Sequence, residues 1–463
     1  MHYLIYLSLF LMVACNESTL GLGGSKNSSP TPVGNQAPVV ADFAPADGQV
    51  GRETIYVINY TDVDNDQASS CSLTDPTNIT LSTPCTCVSG HCSVGITGVS
   101  IGAASFKFSV EANGATSNSA EATFQITERT PFVSVWRAGT TGYGDESLTV
   151  RLPLTLNYVY DFTVDWGDGS PLSHIDDLFD NDKIHTYAAP GDYTITIRGT
   201  LEGWHFSDFS QAAKVISVVN LGDVGWKNLS YAFRWARNLE SFAGGYTADV
   251  TNMSYMFDNN IKLTNLDLSS FDTRNVTDMS SMFNLTMALT TLDLSNFDTR
   301  NVTTMAGMFS GNSLLTNLNI TSFDTRNVTS MLLMFYGARS LTSLNLTHFD
   351  TSKVTTMYGM FSDMPSLSSL NISTFDTSEV TNMAMMFYDL KQLSALDLSH
   401  FQTSKVTRMD SMFSNASSLL SLTVGSWDVT QNPDSSSIWS GGNSSLVIYC
   451  VQPGGTLFGK TCN

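Results

Sequence analysis

Several groups of side chains in this 463-residue chain have types and spacings that could support chemistry. Asp62, Asp64 and Asp66 alternate in the stretch Tyr60-Thr-Asp-Val-Asp-Asn-Asp66, and hard carboxylate oxygens so placed can serve calcium. Calcium takes about six to eight oxygens, so three carboxylates are a partial shell, and the competing reading is a solvated acidic turn. Asp165, Asp168 and His185 put two carboxylates and an imidazole in one segment, a set capable of proton exchange. Methionines recur at Met253, Met279, Met305, Met331, Met357, Met383 and Met409, and a thioether is a soft ligand for Cu(I). Interleaved with phenylalanine at core spacing, they read as gap-filling interior instead.

The cysteines have a simpler chemistry. Cys71, Cys85, Cys87 and Cys92 lie in one region, and Cys450 and Cys462 close the chain. An even, regionally clustered set suits disulfides in an oxidising compartment. Cys450–Cys462 is the only local pairing at the C-terminus, whereas the other four admit three pairings. Their spacing, with His91 alone nearby, matches no zinc pattern.

Export is also expected from the N-terminus. The apolar run Tyr3–Ala14 is too short to span a bilayer and has the length of a signal h-region. Met12-Val-Ala-Cys15 resembles the lipobox of bacterial lipoproteins, which implies that Cys15, at the end of a lipoprotein signal segment spanning residues 1–15, is acylated and becomes the new N-terminus. Residues 16–36, rich in Gly, Ser, Pro and Asn, then read as a flexible tether. With 42 acidic against 22 basic residues, a net charge of −20, the chain repels nucleic acid and anionic lipid surfaces. A lipid anchor is therefore the one expected membrane contact, and the chain is read as a monomer.

The elements that must position these groups are β-strands. Between residues 37 and 128, runs such as Thr54-Ile-Tyr-Val-Ile-Asn-Tyr60 and Ser105-Phe-Lys-Phe-Ser-Val110 alternate at period two, and Asn113-Gly114 signals a hairpin. This region resembles bacterial Ig-like or cadherin-like modules, in which acidic loops can hold calcium. Residues 129–217 contain Phe162-Thr-Val-Asp-Trp-Gly-Asp-Gly-Ser170 and His185-Thr-Tyr-Ala-Ala-Pro-Gly-Asp-Tyr193, which resemble the PKD domain, a β-sandwich of extracellular proteins. In that fold Asp165, Asp168 and His185 are expected at turns and strand edges. Trp204, Phe206 and Phe209 follow and are expected to cover the seam to the next region.

From 245 to 426 the text Phe-Asp-Thr-x-x-Val-Thr-x-Met-x-x-Met-Phe…Leu-x-x-Leu-x-Leu recurs seven times at a period of 26 residues, with caps expected at 218–244 and 427–463. Leu-x-Leu has the period of a strand, while Met-x-x-Met-Phe suits a short helix or tight turn. One unit cannot bury its apolar face alone, so the units must stack. The repeat resembles the bacterial surface-protein 26-residue repeat, related to BspA-type leucine-rich repeats. That resemblance implies surface display and, in some relatives, adhesion.

The expected fold is thus mainly β: two β-sandwich domains followed by a leucine-rich-repeat-like solenoid with short helices or turns. No nucleophile–base pair, phosphate loop or metal cluster emerges, so no enzymatic activity is expected. The expected role is a cell-surface lipoprotein, on the bacterial surface or outer membrane, binding a surface protein or glycan. Its candidate binding letters face outward between the leucines: Asp267, Asp293, Asn319, Asn345, Asn371 and Asp397. The alternatives are a structural envelope protein without a ligand and a non-catalytic part of a carbohydrate-active system. Asp at the second position of the unit and Thr at the third and seventh are expected to bond local backbone.

Overall fold

The computed structural model describes residues 35–463 apart from 42, 89, 141, 144, 452 and 453. Residues 1–15 with Cys15, and nearly all of the expected tether, lie outside the described residues. The chain divides into two compact units, Met1–Glu128 and Arg129–Asn463.

In the first unit two sheets share one core. One sheet orders the strands Val39–Val40, Glu53–Thr61, His91–Gly98 and Ile79–Val88; the other orders Gly48–Gln49, Ala120–Thr127, Gly102–Ala112 and Ala68–Thr77. Alternation does the sorting. Tyr56, Ile58, Val94, Ile96, Phe106, Phe108 and Phe124 point inward and are buried, and most residues between them face outward, with Gly95 covered by Glu53 and Thr83. Asn113 and Gly114, with φ of 47° and 80°, turn the chain between Ala112 and its partner Ala115.

The second unit runs two architectures into one sheet. Its seven strands lie in the order Ser173–Ile175, Tyr160–Asp165, Gly191–Leu201, Phe132–Ala138, Val215–Asn220, Ser241–Ala243 and Asn265–Asp267. The strand Val215–Asn220 pairs antiparallel with Phe132–Ala138 on one side and parallel with Ser241–Ala243 on the other. The boundary expected at 217/218 therefore falls inside a strand, and residues 129–217 share a unit with the solenoid rather than forming one of their own. Each half covers an edge that would otherwise expose unpaired backbone. Trp204 and Phe206 pack at this seam with Phe132, Trp136 and Trp226, all essentially buried. Phe209 does not follow them: it opens the four-residue helix Phe209–Ala212 and is 62% exposed.

Beyond the seam the chain winds into a solenoid of about nine coils, traced by parallel bridges from Asn228 through Asn252, Asp278 and Thr304 to Asp434. The first coil precedes the seven 26-residue units and is shorter, so that Tyr231 stacks on Tyr255 and Phe233 on Phe257. The Met-Phe segments are turns, not helices. Two residues per coil, such as Ser281 and Leu285, or Gly307 and Gly311, are left-handed, which no α-helix tolerates. Each turn closes locally, as in Met282 N–H to Met279 O. The alternate N–H groups instead reach the next coil, as in Phe283 to Met308 O.

Every methionine of the recurring columns is fully buried, which places them in the interior. Phe257, Phe283, Phe309, Phe335, Phe361, Phe387 and Phe413 form a continuous ring stack with centroids 5.6–6.1 Å apart, closed by Trp439 at 5.1 Å.

Candidate functional site

The residues expected to carry chemistry fall into separate places, and most are already engaged. Asp62 Oδ1 accepts the N–H groups of Asp64 and Asp66 at 2.9 and 3.1 Å, while Asp64 accepts from Gln36 N–H and Asp66 from the Asn113 amide. Oxygens from the three carboxylates lie within 4.8 Å of one another. The turn itself accounts for this arrangement, since Asn65 takes the left-handed φ of 60° that closes it. One atom is left over: Asp62 Oδ2 is buried without a hydrogen bond. Adding calcium at a few millimolar is expected to leave the melting midpoint of the first unit unchanged. A rise that Asp62→Asn abolishes would instead assign that oxygen to an ion.

The four clustered cysteines pair as Cys71–Cys85 and Cys87–Cys92, and the C-terminal pair as Cys450–Cys462. Cys71–Cys85 joins the edge strand Ala68–Thr77 of one sheet to the edge strand Ile79–Val88 of the other, and Cys87–Cys92 crosses a hairpin. Each removes freedom from the unfolded chain, an effect typically worth about 2–4 kcal/mol.

Asp165 and Asp168 each accept a backbone N–H two residues on, from Gly167 and Ser170. Gly167 sits at φ 78°, where a Cβ would come within 2.3 Å of Thr194 O, so the reversal requires glycine. His185 stacks on Trp166 with ring centroids 4.8 Å apart and bonds Asp168 at 2.8 Å. Hydrogen bonds from Ser170, then from His185, hold the Asp168 carboxyl down at about 2. The three residues shape a turn and brace a tryptophan.

On the solenoid, Asp267, Asp293, Asn345, Asn371 and Asp397 are exposed on the strand column, and Asn319 is half-buried. Each side chain accepts the N–H two residues on, as Asp267 does from Ser269 and Asp293 from Ser295. Serine hydrogen bonds hold the carboxyls of Asp267, Asp293 and Asp397 below their ordinary value. This column ends the strands, and its oxygens are partly occupied in doing so.

A second face was missed. In three successive coils the segments Asp272–Asn275, Asp298–Asn301 and Asp324–Asn327 have the same letters, Asp-Thr-Arg-Asn. Each arginine pairs with the aspartate of its own coil at 2.7–2.8 Å, with its side chain about two-thirds exposed. Asn301 and Asn327 donate to the carbonyls of Arg274 and Arg300 in the coil before. Between these rungs lie two open polar grooves of about 600 and 710 Å³. The signal was available in the sequence as a charged letter shared by three consecutive units. Arginine stands at the fourth position in three successive units, Arg274, Arg300 and Arg326, where the later units have serine.

Among the described residues no helix is long and apolar enough to cross a membrane. A family model described as "Mycoplasma protein of unknown function, DUF285" matches residues 227–345 and 341–446, nearly the whole solenoid. No curated protein and no solved structure matches the chain.

Proposed function

We propose that this is an exported, lipid-anchored surface protein whose solenoid binds a protein or glycan partner, without catalysis. The observation that carries the reading is the pair of polar grooves between three identically lettered coils. Arg, Asp and Asn side chains there offer fixed forks of donors and acceptors, the chemistry that recognises hydroxyl, amide or carboxylate groups. The disulfides and the lipobox-like Cys15 support display outside the cytosol. The resemblances to BspA-type repeats, the PKD domain and Ig-like modules point the same way. The grooves are preferred to the strand column because they add arginine side chains, about two-thirds exposed, to a row of Asp and Asn, and the strand column lacks such arginines.

The test displays the chain on cells and measures binding to panels of surface glycans and proteins. Replacing Arg274, Arg300 and Arg326 together by alanine is expected to weaken binding at least tenfold, roughly 1.4 kcal/mol, with little effect on folding. Replacing Asp267, Asp293 and Asp397 is expected to lower the melting midpoint while binding persists. If both triple variants bind as the parent does, the solenoid is a structural rod. Cys15→Ala is expected to move the protein from the membrane fraction to the medium.

A further inference from the structure

A separate cleft of about 430 Å³ opens where the first coil meets the strands before it, lined by Tyr143, Phe209, Ala213, Trp235 and Arg237. Its walls are almost wholly apolar, and Phe209 keeps 62% of its surface exposed there. Small-molecule sites have this size and lining. The walls are also held in place. The Arg234 guanidinium lies 3.9 Å above the Trp235 ring and is itself bonded to the buried Asp258 at 2.9 Å. Asp145 ties the loop carrying Tyr143 to the helix carrying Phe209 through Ser210 and Gln211.

Two features set this place apart from the rest of the solenoid. Trp235 occupies the left-handed turn position, φ 63°, that later coils give to Gly, Asn or Asp, with Leu285 the other bulky occupant. A large side chain there is a strained choice, and such strain points toward a use for the side chain. The other feature is charge. Arg237 and Lys262 lie 5.8 and 5.6 Å from the Tyr143 ring; Lys262 Nζ donates to Asn238 Oδ1 at 2.9 Å, and among the described residues neither cation has a carboxylate within ion-pair distance. In a chain of net charge −20, two cations whose charge no carboxylate balances, beside one aromatic ring, make an attractive point for an anion.

We propose that this cleft binds a small amphipathic carboxylate, its aromatic or short aliphatic body against Trp235 and Phe209 and its anionic head between Arg237 and Lys262. A sugar suits the cleft poorly, because its hydroxyls would be buried against walls that offer few hydrogen-bonding partners. The site is independent of the solenoid grooves, so it stands or falls separately from them.

Calorimetric titration of the full chain with 4-phenylbutyrate is the test. A dissociation constant on the order of 0.1–1 mM is expected for a ligand of this size. The neutral amide of the same acid is expected to bind roughly tenfold more weakly, and Arg237→Gln to erase most of that difference. Trp235→Asn, which places a residue at home in left-handed backbone, is expected to abolish binding while leaving the melting midpoint unchanged or higher. Absence of heat at about tenfold the expected dissociation constant would overturn the proposal. So would equal affinity for acid and amide, or binding that survives Trp235→Asn.

Discussion

Replacing Asp145 with alanine is expected to destabilise the 129–463 unit by about 3 kcal/mol, one of the largest single-residue effects in the chain. The reason is Lys214, whose ammonium is completely buried. Asp145 Oδ1 lies 2.7 Å from it, and the Ser147 carbonyl, at 2.6 Å, supplies the other close contact. Removing the carboxylate leaves a charge in the interior with only neutral acceptors. The value lies at the low end of the range for broken buried pairs, because the Asp145 side chain is itself 40% exposed. Changing Lys214→Met in the same molecule removes the orphaned charge and is expected to recover most of the loss, as read by urea denaturation. A double variant no more stable than Asp145→Ala would count against the ion-pair account.

The same pair has a pH signature. Burial works against ionisation of Asp145, but the hydrogen bonds from Lys214 and Ser147 outweigh it and hold the carboxyl at about 2. A folded value below the unfolded one of about 3.9 stabilises the protein fully above that pH. The contribution fades as pH falls from about 4 toward 2, so acid melting of the Asp145→Ala variant is expected to be less steep across that window. Loss of the hub is also expected to loosen Tyr143 and Phe209, the two walls of the apolar cleft.

Much of this molecule was legible from its letters, because its structure repeats what its sequence repeats. The columns at Met279, Met282, Phe283, Leu292 and Leu294 could be assigned to the core by period alone, and each is buried. What could not be read is what depends on pairing across distance. The lone Lys214 gives no hint that it is buried, since its partner lies 69 positions earlier in a loop without pattern. The first coil escaped the count because its spacing to the next is shorter than 26, though Tyr231-Ala-Phe233 and Tyr255-Met-Phe257 carry its letters. The strand Val215–Asn220 reads locally as an ordinary apolar strand, and nothing in its letters states that it joins the antiparallel and parallel parts of one sheet. Of the candidate sites, the carboxylates and cysteines were found by type. The Asp-Thr-Arg-Asn grooves were passed over because the repeat was read for its apolar letters.

The third letter of the unit shows that limit most sharply. Thr299 was expected to bond its own turn; instead it reaches the following coil. Its hydroxyl donates to the Asp324 carbonyl at 2.9 Å and accepts the Asp324 N–H at 2.8 Å, satisfying both main-chain groups of one residue. Thr273, Thr351 and Thr377 do the same for the residues 25 positions on. At this corner the coils have no strand ladder, so a buried hydroxyl takes its place. Thr299→Val keeps the shape and is expected to leave one half-buried donor and one half-buried acceptor unpaired, at about 1–2 kcal/mol each. A loss of about 2–4 kcal/mol follows, with faster amide exchange confined to the coils that meet at Asp324. Thr299→Ser keeps the hydroxyl and is expected to cost well under half as much. A larger loss for serine than for valine would mean that the methyl group, and not the paired hydrogen bonds, holds the coils together. Because each coil contacts only its neighbours, the loss stays at that corner, while the Phe309–Phe335 stack and the Phe309 N–H bond to Met334 O still join the two coils.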